Sequence, residues 1–294
     1  MATLPAAEIR RAVRQGLEED LAQGDATTAS IFSSPVPARA KIIAQQPVVV
    51  AGMAAAVQTF LMVDPSLRLS VSKSDGDRAT NGEVLLDIEG DGRSILQAER
   101  VALNFLQHLS GIATLTQRFC RAVRGYPVSI LDTRKTLPGW RALQKWAVSL
   151  GGGSNHRRSL SDGILIKDNH LALLQRNRRP VERACRLAHA RRSSALPIIV
   201  EVESLSEVRQ ALTGKPDIIL LDNMDPDLVR RAVALIKKQA LVEVSGGITL
   251  KNVRAMAAAG ADRISIGALT HSAPAATISL VMTLARPSRS RRRS

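Results

Sequence analysis

From Val128 onward the chain settles into short apolar runs, each closing on a polar or glycine residue. The runs are VSILD ending at Asp132, ILIK at Lys167, IIVE at Glu201, IILLD at Asp222, LVEVS at Ser245 and RISIG at Gly267. Apolar runs of this length without strict alternation read as strands covered on both faces, the habit of a parallel sheet. The last four ends are spaced 21, 23 and 22 residues apart. Each gap holds a helix with its own start signal: Ser204 or Ser206, Asp225 followed by Pro226, and Thr249. The pattern predicts a βα repeat of barrel type.

The first part of the chain has a different pattern. Residues 5–22 predict an amphipathic helix, with Pro5 suited to its first turn, a stripe of Ala6, Ile9, Val13, Leu17 and Leu21, and Gly24 to end it. Strand-like runs follow at Ala38–Ile43, Val48–Ala51, Leu67–Ser72, Glu83–Ile88 and Arg93–Leu96, the last two expected to form a hairpin through Gly90-Asp91-Gly92. A long helix is predicted from about Ala98 to Val123, with a break near Ser110-Gly111. The expected division is an α+β domain over residues 1–109, an α/β barrel domain with a C-terminal segment over 110–285, and a tail, 286–294. The tail, RPSRSRRRS, reads as disordered by composition.

Composition narrows the function. Aromatic residues are only 2% of the 294, so the core must be built from Ala, Val, Ile and Leu, and stacking platforms for single-stranded nucleic acid are nearly absent. The net charge of +15 calls for anionic partners, but five of those charges lie in the tail and no basic helix stands out, which disfavours a nucleic-acid-binding protein. The two cysteines, Cys120 and Cys185, lie too far apart in sequence to suggest a zinc site or a disulfide framework, and a reducing cytoplasm is the expected setting. The most apolar stretch, Pro47–Val63, is interrupted by Gln58 and Thr59, so no membrane span is expected, and no secretory signal is read at the N-terminus.

In a βα barrel the functional face is built from the strand C-termini and the loops after them. That mouth collects Arg134, Lys135, His156, Arg157, Arg158 and Lys167, then the carboxylates Glu201 and Asp222. So many cations suit a small substrate carrying several carboxylates or phosphates. Ser245-Gly246-Gly247 and Gly267-Ala268-Leu269 fit the phosphate site that barrels form after late strands. Glu201 and Asp222 could hold ribose hydroxyls, or Mg2+ with waters. There is no P-loop and no nucleophile elbow, and Asp168 and His170 of KDNH read as hydrogen-bonding residues rather than metal ligands.

The motifs DTRKTLPGWRALQKWAV (132–148), GGGSNHR (151–157) and LIKDNH (165–170) closely resemble the quinolinate phosphoribosyltransferase family. LEEDLAQGDATT (17–28), ERVALNFLQHLSGIAT (99–114), EVE (201–203), LLDN (220–223), EVSGGI (243–248) and ISIGALTHSA (264–273) extend the resemblance over nearly the whole chain. It implies an N-terminal α+β sandwich domain followed by an incomplete (open) parallel α/β barrel. The implied reaction moves the phosphoribosyl group of 5-phosphoribosyl 1-pyrophosphate to quinolinate, releasing CO2 and pyrophosphate and giving nicotinate mononucleotide for de novo NAD biosynthesis. It places Arg100, Thr133, Arg134, Lys135, His156, Arg157 and Lys167 around the pyridine dicarboxylate and pyrophosphate, and Glu201 and Asp222 at the ribose and the Mg2+ cofactor. Lys135, Lys167, Glu201 and Asp222 are the implied catalytic residues. Ser245, Gly246 and Gly247, with Ile266, Gly267 and Ala268, match the 5-phosphate loops. A homodimer or hexamer of dimers is implied, in which Arg100 enters the neighbouring subunit's site. The alternative within the same fold is a related phosphoribosyltransferase with altered aromatic-acid specificity.

Overall fold

The computed structural model describes residues 6–174, 178–193 and 196–285, so Pro5 and the tail 286–294 lie outside the described residues. The chain forms two compact units, one from residues up to 115, 138–151 and 273 onward, the other from 116–137 and 152–272.

In chain order the elements before the barrel strands are α1 (Ala6–Leu21), α2 (Ala26–Ile31), β1 (Pro37–Ala44), β2 (Val48–Val49), α3 (Met53–Val63), β3 (Arg68–Val71), β4 (Arg78–Ala79), β5 (Val84–Asp91) and α4 (Gly92–Ala122). There follow β6 (Ser129–Leu131), α5 (Arg141–Leu150), β7 (Ile164–Ile166), α6 (Asp168–Ala172), α7 (Pro180–Arg191), β8 (Ile198–Val202), α8 (Leu205–Gly214) and β9 (Ile218–Asp222). The last are α9 (Pro226–Ile236), β10 (Leu241–Ser245), α10 (Val253–Ala258), β11 (Arg263–Ser265), α11 (Ala268–His271) and β12 (Ile278–Leu284). Among the described residues no helix is long and apolar enough to cross a membrane.

The first unit is built on an antiparallel sheet ordered β12-β1-β5-β3, with a small β2-β4 pair. Strand β1 alternates strictly enough that Ala38, Ala40, Ile42 and Ala44 face inward, where they meet Phe60 of α3 and Ile95, Ala98, Ala102 and Leu106 of α4. Two expectations change here. Arg93–Leu96 is helix, not the second arm of a hairpin, because the Asp91 carboxylate accepts the backbone N–H groups of both Arg93 and Val36 and starts α4 directly at the end of β5. Nor is α4 broken at Ser110-Gly111; it runs 31 residues without interruption. Both small residues serve close packing: the Ser110 hydroxyl accepts from the Ala51 amide and donates to the Ala51 carbonyl, and a Cβ at Gly111 would lie 2.1 Å from the Pro274 carbonyl oxygen. The C-terminal segment forms β12, which belongs to the first unit and pairs along β1 from Ala38↔Leu284 to Ala44↔Ile278.

The second unit is a six-stranded parallel sheet ordered β6-β11-β10-β9-β8-β7, open between β6 and β7. All six predicted runs are its strands. Two of the predicted caps hold: the Ser204 side chain accepts from the Glu207 amide, and Asp225 from the amides of Asp227 and Leu228. Thr249 does not cap. Its carbonyl accepts from Asn252 and Val253 in an extra turn, and α10 starts only at Val253. Side chains alternate along each strand, so Leu165 and Lys167, Leu220 and Asp222, and Glu243 and Ser245 share the inner face.

Candidate active site

That inner face opens into a cavity of about 570 Å3 within the second unit. Its lining contains fourteen of the fifteen site residues read from the sequence: Thr133, Arg134, Lys135, His156, Arg157, Lys167, Glu201, Asp222, Ser245, Gly246, Gly247, Ile266, Gly267 and Ala268. Arg100 is not among them; it is exposed on α4 in the first unit.

The cationic wall comes from three loops. Asp132, fully buried at the end of β6, accepts the His156 amide at 2.8 Å and the Asn155 side-chain amide at 2.7 Å, so DTRK and NHR are tied together by one carboxylate. Arg157 donates through Nη1 to the Gly163 carbonyl at 2.8 Å, while its Nε and that of Arg134 are buried without a hydrogen-bond partner. Burial first, and then the nearby Arg134 charge, hold the Arg157 guanidinium below its ordinary basicity. Two guanidinium groups crowded in this way favour an anion between or beside them.

Across the cavity stand the carboxylates. Lys167 Nζ lies 2.8 Å from Glu201 Oε2. Burial raises the Glu201 carboxyl above its ordinary range; the Lys167 contact opposes this, and the Asp222 and Asp168 charges add to it. Asp222 accepts the Asn223 side-chain amide at 2.6 Å, and the Asn223 amide donates to the Ser245 carbonyl at 3.0 Å. Gly246 closes this corner at φ +85°, where a Cβ would stand 2.2 Å from Asn223 Oδ1. At the other glycine loop, Lys135 is fixed by its carbonyl, which accepts the Thr270 hydroxyl at 2.7 Å.

The sequence reading placed Asp132 at a strand end without giving it a role, and it did not assign Glu243, Thr249, Ser265 and His271 to the site, all four of which line the cavity. Glu243 did leave a trace, as the only charge inside the run LVEVS. His170 forms a hydrogen bond as expected: its Nδ1 accepts the Lys167 amide at 3.0 Å at the start of α6.

The second unit is thus an open parallel barrel with a cationic wall, two carboxylates and paired glycine loops gathered at its strand ends, the place where barrel enzymes carry their active sites. The chain belongs to the quinolinate phosphoribosyl transferase family, whose N-terminal domain matches residues 25–110 and whose C-terminal domain matches residues 112–281. It is 38% identical over 281 residues to the probable nicotinate-nucleotide pyrophosphorylase [carboxylating] of Bacillus subtilis, covering 96% of each chain. It is 40% identical over 272 residues to the nicotinate-nucleotide pyrophosphorylase [carboxylating] of Mycobacterium leprae, covering 90% of this chain and 93% of that one. Among solved structures, NadC from Streptococcus pyogenes superposes with a TM-score of 0.90 at 36% identity, covering 97% of this chain and all of that one. The pyrophosphorylase of Francisella tularensis gives 0.86 at 35% identity, covering 96% and 98%.

Proposed function

We propose that the protein converts quinolinate and 5-phosphoribosyl 1-pyrophosphate to nicotinate mononucleotide, CO2 and pyrophosphate, a pentosyl transfer in NAD biosynthesis. The observation that carries the site assignment is the neighbouring Arg134–Arg157 pair, whose buried Nε atoms lack hydrogen-bond partners, in the same cavity as two glycine loops and the carboxylates Glu201, Asp222 and Glu243.

Arg134 and Arg157 take the two carboxylates of the pyridine ring, with Lys167 beside them, because guanidinium presents a planar fork of donors to planar anions. Thr133 and Lys135 hold the pyrophosphate. The amides around Gly246, Gly247 and Gly267 cradle the 5-phosphate. Glu201 and Asp222 would hold the ribose hydroxyls and Mg2+, since two neighbouring carboxylates with residual repulsion suit a cation. When bound, Mg2+ neutralises the leaving pyrophosphate. Among the described residues no cluster of three or more His, Cys, Asp or Glu could form an all-protein cage for it.

The chemistry asks for placement more than for a nucleophile. The anomeric carbon passes through an oxocarbenium-like state that fixed charges stabilise. The pyridine nitrogen, once ribosylated, is positive and accepts the electron pair left by loss of CO2 from C2, so no general base is needed. The setting we propose is cytoplasmic, and the assembly a homodimer or hexamer of dimers. Burial pushes the thiols of Cys120 and Cys185 up to about 11 and about 12, which keeps them protonated and inert.

The test is a product assay with Mg2+ and phosphoribosyl pyrophosphate, offering quinolinate and nicotinate separately. Quinolinate gives nicotinate mononucleotide and CO2, and nicotinate is a poor substrate, because a site built for two carboxylates leaves a buried cation unmatched when one is missing. Equal turnover of the two acids overturns the dicarboxylate assignment in favour of another aromatic acid.

A further inference from the structure

Glu243 belongs to no group with an assigned role, yet it is the most deeply buried acid of the cavity wall. It lies in the middle of β10, in register with Leu220 of β9 and Arg263 of β11, and its side chain is fully buried. A buried carboxylate without compensation is strongly unfavourable, so its partners define its purpose. There are two. Oε2 is 3.0 Å from Arg263 Nε, and Oε1 is 3.2 Å from His156 Nε2. Neither contact is aligned as a full hydrogen bond; that with Arg263 is a close ion pair, and that with His156 is a close polar contact.

The other side of the His156 ring fixes its protonation. The Arg157 backbone amide donates to His156 Nδ1 at 2.8 Å. A nitrogen that accepts an N–H carries no proton, and a neutral imidazole carries one, so the proton sits on Nε2, the atom that faces Glu243. An imidazolium would set an Nδ1 proton against the Arg157 amide. The ring is thereby spanned between the Glu243 carboxylate and the backbone of Arg157, whose guanidinium stands in the cationic wall.

We propose that Glu243 is a positioning residue that holds His156 as the neutral Nε2–H tautomer and, through the Arg157 amide, sets the place of the Arg157 guanidinium for an anionic ligand. The activity arm of this inference rests on the function proposed above; the tautomer does not. The substitution that discriminates is Glu243→Gln. Its carboxamide has one oxygen where Arg263 Nε and His156 Nε2–H each need an acceptor. If the oxygen stays with Arg263, the NH2 group faces His156 and requires Nε2 to accept, which moves the ring proton to Nδ1 and breaks the bond from Arg157. A purely structural ion pair of Glu243 with Arg263 would leave the ring as it is.

The experiment is nitrogen NMR of the full-length protein labelled with 15N-histidine, the His156 signals being identified by their loss in His156→Asn. In the unsubstituted protein at neutral pH, the proton is expected on Nε2 and none on Nδ1. In Glu243→Gln the Nδ1–H form appears, and the KM for quinolinate rises about tenfold with kcat within about threefold, the pattern of lost ligand positioning. A His156 ring protonated on Nδ1, or on both nitrogens, in the unsubstituted protein overturns the proposal even if Glu243→Gln does not fold. So does a variant with an unchanged ring, or one with a switched ring and an unchanged KM. Failure of the unsubstituted protein to turn over quinolinate, with the Nε2–H form intact, strikes the functional reading and leaves the tautomer assignment standing.

Discussion

Lys167 Nζ stands 2.8 Å from Glu201 Oε2, joining a lysine whose side chain is 44% exposed to a carboxylate that is 10% exposed. The cation proposed to meet quinolinate is therefore held in place before any ligand arrives, by the residue proposed to face the ribose. Lys167→Ala removes a cation that packing does not need, since nearly half of that side chain is in solvent. We expect turnover of quinolinate to fall by orders of magnitude while the circular dichroism spectrum stays that of the parent protein and Tm falls only modestly, as Glu201 loses the cation that offsets its burial. Activity within a factor of about three, which is under 1 kcal/mol of barrier, would remove Lys167 from the site.

The same contact makes a pH prediction. Burial raises the Glu201 carboxyl, and Lys167 does not cancel the effect. A carboxyl whose folded value exceeds its unfolded one stabilises the fold while protonated, and that stabilisation is lost as pH rises through the folded value. Ionised Glu201 therefore weakens the fold at neutral pH. Glu201→Gln is expected to raise Tm at pH 7 while abolishing turnover, and the difference in Tm should shrink as pH falls below the ordinary glutamate value of 4.5. Thermal melts at several pH values check this, and a lower Tm for the variant at pH 7 would contradict it.

The two glycines of the proposed phosphate loop should respond differently to alanine. At Gly246 a Cβ would press 2.2 Å from Asn223 Oδ1 and 2.8 Å from its amide nitrogen, and the residue sits at φ +85°. At Gly247 the φ is +60° and a Cβ would meet nothing within 4 Å. Gly247→Ala thus bears only the left-handed conformational cost of about 1 kcal/mol. Gly246→Ala bears that and also displaces Asn223, which holds Asp222 through its side-chain amide. Gly246→Ala should lower Tm further and raise the KM for phosphoribosyl pyrophosphate by about tenfold or more, on the scale of one lost polar contact. Equal Tm losses for the two variants would refute the clash.

Why the barrel was easier to read than the first unit follows from how each buries its chain. Parallel strands covered on both faces must be continuous apolar runs, and their polar ends mark one rim, so Asp132, Lys167, Glu201, Asp222 and Ser245 could be placed from the sequence alone. In the first unit the decisive contacts are nonlocal. The start of α4 at Gly92 depends on Asp91 capping both Arg93 and Val36, and the unbroken passage through Ser110-Gly111 depends on Ala51 and Pro274. Strand β12 is legible only as a partner of β1, more than 200 residues earlier. Glu243 was overlooked for the opposite reason. Rules that look for chemistry at strand ends pass over an acid in mid-strand, although a lone charge between Val242 and Val244 must have buried partners.

Arg100 is the one site residue the cavity does not collect, and the subunit arrangement proposed here gives it a role. It is exposed on α4, and in the assembly proposed here it would enter the neighbouring subunit's site. In a two-fold dimer with such sharing, each site takes Arg100 from one chain and Lys167 from the other. Mixing Arg100→Ala chains with Lys167→Ala chains then yields heterodimers in which one site gathers both defects and the other has none. Random reassortment of equal amounts makes half of the dimers mixed, and each has one intact site of two, so roughly a quarter of the parental activity should return. If both residues serve the same chain's site, every site in the mixture carries one defect. Native mass spectrometry establishes that heterodimers have formed, and a mixture proven to contain them that stays inactive would confine Arg100 to its own subunit.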